Sequence, residues 1–214
     1  MSDLEQEFLD NKDKKKDKKR LFKILGDFVN VYSKLHTLPP AVSIFGSSRV
    51  DENDQYYKIT SRISKILSDE GYAIITGGGS GIMEAGNKTA NISVGLHIDL
   101  PDKQEINPFV KIPLEFRYFF TRKVSFIKYS VAFIVMPGGF GTLDELSEAL
   151  CLVQTKRMGN FPIVLFGTSF FEPLNDFFKV MLKNNYIDEK DMSSYLITDS
   201  IEEAMEYIKY KGMQ

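Results

Sequence analysis

Cysteine, histidine and tryptophan are scarce in this chain of 214 residues, which has one cysteine, two histidines and no tryptophan. Because Cys151 is alone, no internal disulfide and no cysteine-based metal cluster can form. The two histidines, His36 and His97, argue against a metal site with several histidine ligands. We therefore expect neither a metal site nor a bound cofactor.

An excess of charge of either sign is also missing. The chain has 27 Lys and Arg against 29 Asp and Glu, a net charge of -2, which gives no general argument for binding nucleic acid or a membrane surface. No apolar run approaches the ~20 residues that span a bilayer, and the acidic N-terminus lacks the apolar core of a signal peptide. We expect a cytoplasmic protein that binds neither membrane nor nucleic acid.

One segment departs from this balance, residues 11–20, with seven basic residues and two aspartates. Such a run fits an electrostatic arm for RNA or an acidic partner, but we favour a solvated helical extension because basic runs are commonly solvated. From Leu21, apolar residues recur at helical spacing and predict a helix that leads up to Pro39. We therefore divide the chain into a charged tail with a leading helix, 1–38, and one domain, 39–214.

After this helix, short apolar segments alternate with amphipathic helical patterns. Six segments predict buried strands: 41–46, 72–76, 94–100, 131–136, 161–166 and 194–199. Continuous apolar strands that alternate with helices are typical of a parallel sheet covered on both faces. Since crossover connections are right-handed, the predicted fold is α/β: a Rossmann-like, doubly wound, mostly parallel sheet with helices on both faces.

Two glycine-rich turns each lead from a predicted strand into a helix: ITGGGSGIME at 75–84 and VMPGGFGTLDE at 135–145. Ligands of such sheets bind at the carboxyl ends of the strands, an edge that FGSSR at 45–49 also reaches. Glycine lets the backbone approach a ligand closely, and the N–H groups that begin the next helix favour a phosphate. Together these turns predict a pocket for a nucleotide.

The turns do not match the common nucleotide motifs. GxGxxG fails at both, because Ile82 and Asp144 stand at the third glycine position, and Asn87 replaces the lysine of a Walker pattern. We therefore reject a standard NAD site and a Walker nucleotidase. Thr142 and Glu145 also fit a capping box, in which both side chains only satisfy helix-end N–H groups, so this pattern alone leaves a functional and a structural interpretation open.

PGGFGTLDE at 137–145 resembles PGGxGTxxE, the signature of the Lonely Guy (LOG) family. The segment 76–88 is similar to the first glycine loop of that family and FFTRK at 119–123 to its arginine-lysine segment, while FGSSR and INPFV resemble its bacterial branch. The resemblance implies a nucleoside 5′-monophosphate phosphoribohydrolase. Such an enzyme cleaves the N-glycosidic bond and releases adenine or an N6-modified adenine together with ribose 5-phosphate.

The resemblance also implies roles for individual residues. Arg122 and Glu145 match the catalytic positions: the carboxylate offsets positive charge on the sugar, and the guanidinium binds a carboxylate or phosphate. The implied substrate-binding residues are Gly46, Ser47, Gly77, Gly78, Gly79, Gly81, Glu84, Lys123, Gly138, Gly139, Gly141 and Thr142. Two alternatives remain open: Glu84 as a favourable charge at a helix N-terminus, and Arg122 with Lys123 as solvated charges on a helix face.

Family members form dimers in which the region around the aromatic cluster 116–120 helps to build the neighbouring site, so the resemblance implies a homodimer or larger homo-oligomer. Lys103 departs from the family pattern, because it stands where the bacterial branch has a glutamate. The alternative function is a nucleotide sensor or carrier without hydrolysis. Arg122 and Glu145 favour the enzyme, since phosphate binding needs the glycines but neither of these side chains.

Overall fold

Seven parallel strands form one sheet in the computed structural model, which describes residues 14–99 and 105–212. In chain order the strands are β1 (Ala41–Phe45), β2 (Ala73–Thr76), β3 (Ser93–Ile98), β4 (Ile112–Phe116), β5 (Ala132–Val135), β6 (Ile163–Phe166) and β7 (Tyr195–Thr198). The helices are α1 (Lys14–Leu35), α2 (Gln55–Asp69), α3 (Ile82–Lys88), α4 (Phe119–Tyr129), α5 (Phe140–Gln154), α6 (Thr168–Lys183) and α7 (Ile201–Gly212), with a 3₁₀ helix at Glu189–Ser193. No helix within these described ranges is long and apolar enough to cross a membrane.

The strand order is β4-β3-β2-β1-β5-β6-β7, so the direction of winding reverses at β1. In the register of β1, Ser43 lies opposite Ile75 of β2 on one side and Phe133 of β5 on the other. The helix that follows β1 and the helix that follows β5 pack on opposite faces of the sheet. A crevice therefore opens between the carboxyl ends of these two strands. The doubly wound α/β fold predicted from the sequence is confirmed.

Both faces of the sheet are covered by hydrophobic cores. Ala41 and Phe45 of β1 belong to the core beneath α1, α4, α5 and α6, whereas Val42 and Ile44 belong to the core beneath α2, α3 and α7. Each large apolar side chain that is fully buried stabilises the fold by roughly 1.5–3 kcal/mol. Burial on both faces explains why the central strands are continuous apolar runs in the sequence.

The sequence prediction missed β4, which pairs with β3 at an edge of the sheet. In KIPLEF, Leu114 and Phe116 are buried while Pro113 and Glu115 are exposed, an alternation typical of a strand with one covered face. Proline is tolerated because an edge strand pairs on one side only. The other six strands are confirmed to within one or two residues at each end.

The leading helix α1 is bound to the domain through a buried carboxylate. Asp27 is 2% exposed and accepts hydrogen bonds from Arg117 Nη1 at 2.9 Å, Arg117 N at 3.3 Å and Thr121 Oγ1 at 3.1 Å. Val31 and Leu35, on the same side of α1, pack into the core. Asp27 thus joins α1 to the end of β4 and the first turn of α4.

Part of the basic run belongs to α1, since residues 14–20 are helical. Lys18 and Lys19 are exposed, as the predicted solvated extension requires, but Arg20 is 6% exposed and therefore buried. Residues 1–13 of the predicted tail, and Lys103, lie outside the described residues.

Replacing Asp27 with alanine should lower the free energy of unfolding by about 1–3 kcal/mol, because the partner groups lose a charged acceptor. Urea denaturation followed by circular dichroism measures this. Asp69→Ala, which removes an ion pair with Lys65, should cost less, because both of these side chains are more than half exposed and water can replace the lost partner. Equal losses in the two variants would contradict the role given to Asp27.

Candidate functional site

A cavity of about 650 Å³ opens at the carboxyl edge of the sheet, at the reversal between β1 and β5. Most of its lining comes from the connections that follow β1, β2 and β5, from the first turn of α4 and from the first two turns of α5. Eight of the fourteen predicted site residues line it: Gly46, Ser47, Gly77, Arg122, Gly139, Gly141, Thr142 and Glu145. The sheet topology thus brings residues 99 positions apart, Gly46 and Glu145, into one site.

The first turn of α5 forms one wall of the cavity. Gly139 is its N-cap and Phe140 its first residue, and no side chain in the described ranges caps this end of the helix. The capping-box interpretation of Thr142 and Glu145 is therefore wrong, because the helix begins before Thr142 and Glu145 lies inside it. The side chain of Thr142 instead packs against Gly138. A Cβ atom added at Gly138 would overlap the hydroxyl oxygen of Thr142. The N–H groups of this turn therefore have no side-chain acceptor among the described residues.

Arg122, in the first turn of α4, is held by three neighbours. Its Nε donates to Leu96 O at 2.8 Å, and its guanidinium carbon lies 5.2 Å from the centroid of the Phe126 ring. Gly77 passes so close that an added Cβ would overlap Arg122 Nη2. Burial lowers the pKa of Arg122, while Glu145 acts in the opposite direction. The interpretation of Arg122 as a solvated surface charge is wrong.

Glu145 is 8% exposed and lines the same cavity. Burial raises its pKa to about 7, although the charges of Arg122 and Lys123 act to lower it. Near neutral pH this carboxyl group is therefore close to half ionised, which suits proton transfer. A carboxyl group with a strongly raised pKa in a cleft is a common property of active sites.

Lys123 does not line the cavity. Its Nζ lies 3.0 Å from Asp144 Oδ1 and 3.0 Å from Glu148 Oε2, so it joins α4 to α5. Burial alone would lower the pKa of Lys123, but the hydrogen bonds with Glu148 and Asp144 raise it above its ordinary value. These ion pairs fix the relative position of the helices that carry Arg122 and Glu145.

The first glycine turn packs mainly against the rest of the chain. Asn107 Nδ2 donates to Gly78 O at 3.1 Å and Gly79 O at 2.8 Å, and Asn107 N donates to Gly78 O at 2.8 Å. The same amide donates to Asn87 Oδ1 at 3.0 Å, and both asparagines are buried. Of the four glycines in this turn, only Gly77 lines the cavity.

Three more predicted residues lie beside the cavity without lining it. Gly81 begins α3 so close to Ser47 O that an added Cβ would overlap it. Glu84 accepts a hydrogen bond from Tyr57 Oη at 2.8 Å, which joins α3 to α2. Gly138 lines an adjoining groove between α5 and α6.

Several lining residues escaped the sequence prediction, among them Arg49, Asp144 and Phe140. The backbone N–H of Arg49 donates to Ser47 Oγ at 3.1 Å. Because Arg49 ends the FGSSR segment that follows β1, the sequence could have indicated it as a residue of the site. Phe140 is 90% exposed at the mouth of the cavity. Within the described part of the chain, no group of His, Cys, Asp and Glu side chains is placed to hold a metal ion.

A family model described as "possible lysine decarboxylase" matches residues 75–208, which include both glycine turns. The chain belongs to this family, the LOG family. A probable cytokinin riboside 5′-monophosphate phosphoribohydrolase, LOG4 of Oryza sativa subsp. japonica, is 24% identical over 177 residues, covering 77% of this chain and 74% of the relative. The resemblance seen in the sequence is confirmed.

Other members and solved structures extend this comparison. An uncharacterized protein of Archaeoglobus fulgidus is 32% identical over 135 residues, covering 61% of this chain and 87% of the relative. The molybdenum cofactor binding protein of Rippkaea orientalis has a TM-score of 0.57 at 23% identity, covering 81% of this chain and 98% of that one. The molybdenum cofactor carrier protein of Chlamydomonas reinhardtii has a TM-score of 0.57 at 20% identity, with coverages of 82% and 99%. These two structures share the fold.

Replacing Glu145 with glutamine should change how stability depends on pH. Burial raises the pKa of Glu145 in the folded protein from 4.5 to about 7. Between these pH values the folded LOG protein keeps a proton on Glu145 that the unfolded chain has lost. The stability of the fold therefore falls as pH rises from 4.5 to 7. Glu145→Gln should abolish this loss and be more stable at pH 8, by on the order of 3 kcal/mol.

Urea titrations at pH 4.5 and pH 8 measure the difference, with the exposed Glu189→Gln as a control for lost charge. The assignment fails if the stability difference between Glu145→Gln and the native protein is the same at both pH values.

Proposed function

We propose that this protein is a nucleoside 5′-monophosphate phosphoribohydrolase that acts on AMP or an N6-modified AMP. The observation that carries the proposal is the placement of Arg122 and a buried Glu145, with a pKa of about 7, beside the uncapped first turn of α5. Membership of the LOG family and the similarity to the rice phosphoribohydrolase support it.

The phosphate is proposed to bind at the first turn of α5. The N–H groups of Gly139 and Gly141 and the hydroxyl of Thr142 supply its donors, and the positive end of the helix dipole favours its charge. An added Cβ at Gly139 or Gly141 would meet nothing within 4 Å, so there is room for a ligand against the backbone. With the phosphate there, the ribose lies toward Glu145, one turn further along the helix.

Hydrolysis requires the C1′–N bond to break while a water oxygen bonds to C1′, through a transition state with positive charge on the sugar. Glu145 as carboxylate offsets this charge and accepts the proton that the water loses. The departing base gains one proton from solvent, so that one water is consumed for each base and ribose 5-phosphate released. Arg122 is placed to bind the substrate and to hold Glu145 by its charge.

A second candidate is a carrier or sensor that binds a nucleotide-like ligand without hydrolysis, because two similar folds are named as molybdenum cofactor binding or carrier proteins. Phosphate binding alone does not require a buried Glu145 beside Arg122, so the enzyme is favoured. Lysine decarboxylation through a Schiff base is disfavoured at Lys123, since such a lysine needs a lowered pKa and that of Lys123 is raised.

We also propose that a second copy of the chain covers the groove between α5 and α6. This groove of about 470 Å³ adjoins the cavity and is lined by apolar side chains, including Phe140 and Phe177, which are 90% and 59% exposed. Aromatic side chains of this exposure are typical of interfaces. The partner would then close the mouth of the cavity at Phe140.

The native protein should release free base from AMP, and Glu145→Gln should lower kcat by roughly 10²-fold or more. Turnover by the native protein should rise with pH through about 7, as Glu145 ionises. Adenosine, which lacks the phosphate, should react with a kcat/KM lower by roughly 10²-fold or more.

Chromatography of free base over a panel of nucleoside monophosphates measures these effects, with Glu189→Gln as the charge control. Equal turnover of AMP and adenosine would sink the phosphate site at α5. Nucleotide binding without release of base from any substrate would establish the carrier or sensor instead.

Phe177→Asp should halve the mass measured by size-exclusion chromatography with light scattering, because a buried unpaired carboxylate opposes association. Lys183→Gln, an exposed change on the same helix, alters the net charge equally and should leave the mass unchanged. An unchanged mass for Phe177→Asp would show that this groove is not the interface.

A further inference from the structure

We propose that the outward face of α1 is a separate self-association surface, which pairs antiparallel with α1 of another copy. The α1 stripe consists of Phe22, Leu25, Val29 and Tyr32, which are 73%, 48%, 67% and 63% exposed. Four large apolar side chains exposed in one row are unusual for a surface helix. None of these four residues lines the cavity, so this surface is separate from the proposed catalytic site.

The stripe has the spacing of a coiled-coil seam. Its residues are separated by three, four and three positions, the a and d pattern by which two helices interlock. The opposite side of α1 is already used, because Asp27, Val31 and Leu35 are buried against the domain. α1 therefore cannot rotate to bury the stripe without losing these contacts.

The surroundings of the stripe favour an identical helix as the partner. The positions that flank the seam, Leu21, Gly26, Phe28 and Ser33, carry no charge, so two copies meet without like-charge contacts there. An added Cβ at Gly26 would meet nothing within 4 Å, so a second helix can approach closely at this point. Without a partner, a glycine in an exposed helix only costs stability, by about 1 kcal/mol relative to alanine.

The charges at the end of α1 select the antiparallel orientation. Lys18, Lys19 and Lys23 are exposed near the N-terminal end, and a parallel pair would place these cations side by side. An antiparallel pair separates them. It places Phe22 against Tyr32 of the second copy, and Leu25 against Val29 of the second copy.

The area is sufficient for a specific contact. Aromatic side chains bury about 150–250 Å² each, so the stripe with Leu21 offers on the order of 500 Å² per copy, or about 1,000 Å² for the pair. This is near the lower limit of about 1,000 Å² for a stable interface.

Val29→Asp tests the proposal in the full chain by light scattering after size exclusion. The mass should fall to half of the native mass, while Thr37→Asp, an exposed site beyond the helix with the same charge change, should keep it. A native mass equal to that of Val29→Asp, or a monomeric native protein, overturns the proposal. Far-ultraviolet circular dichroism of both variants verifies that α1 is intact.

Cross-linking tests the orientation in a Cys151→Ser background. Leu25→Cys with Val29→Cys should form a disulfide-linked dimer on mild oxidation, because these positions face each other between antiparallel copies. Leu25→Cys alone should not. A dimer formed by Leu25→Cys alone would show parallel pairing, and the absence of a dimer with both cysteines would overturn the interface.

Discussion

The reversal of strand order at β1 is the constraint on which the site depends. The connections from β1 and β5 leave toward opposite faces, so none of the helices in the described part of the chain closes the space between the carboxyl ends of these strands. Two backbone hydrogen bonds hold the edges of this space, from Ser47 N to Pro137 O at 2.9 Å and from Met136 N to Phe45 O at 2.8 Å. The cavity is therefore a consequence of topology, and its chemistry comes from the loops that end there.

The electrostatics of the cavity depend on how its cations are paired. Lys123 is paired with Asp144 and Glu148, and these two carboxylates raise the pKa of Glu145 while Lys123 lowers it. Arg122 is fixed by Leu96 O and the Phe126 ring. Burial therefore outweighs the neighbouring charges, and the pKa of Glu145 stays near neutrality. The same burial costs stability above pH 7, a cost that is typical of functional carboxylates.

Local sequence patterns predicted the parts of the fold that local physics controls. Strands buried on both faces are continuous apolar runs and were found, whereas β4 was missed because this edge strand is not a continuous apolar run and contains Pro113, a residue that is unusual in strands. Arg122 and Glu145 were identified through their motif, and the sheet brings them to one cavity. The start of α5 at Phe140 was missed because Thr142 has the side chain of a typical N-cap. The sequence does not show that Gly139 takes the N-cap position three residues earlier. The contact of Lys123 with α5 depends on tertiary packing, which no local pattern records.

The glycines of the two turns fall into two groups with different physical surroundings. At Gly77, Gly81 and Gly138 an added Cβ would overlap atoms of the chain itself, so internal packing is enough to require glycine. At Gly139 and Gly141 it would meet nothing within 4 Å, and neither residue has positive φ. Gly139 suits its N-cap position, where glycine is favoured over alanine, whereas Gly141 lies inside the first turn and lowers helix stability by about 1 kcal/mol relative to alanine. Packing among the described residues does not require glycine at position 141, and in the proposed function a ligand held against the N–H groups of α5 does.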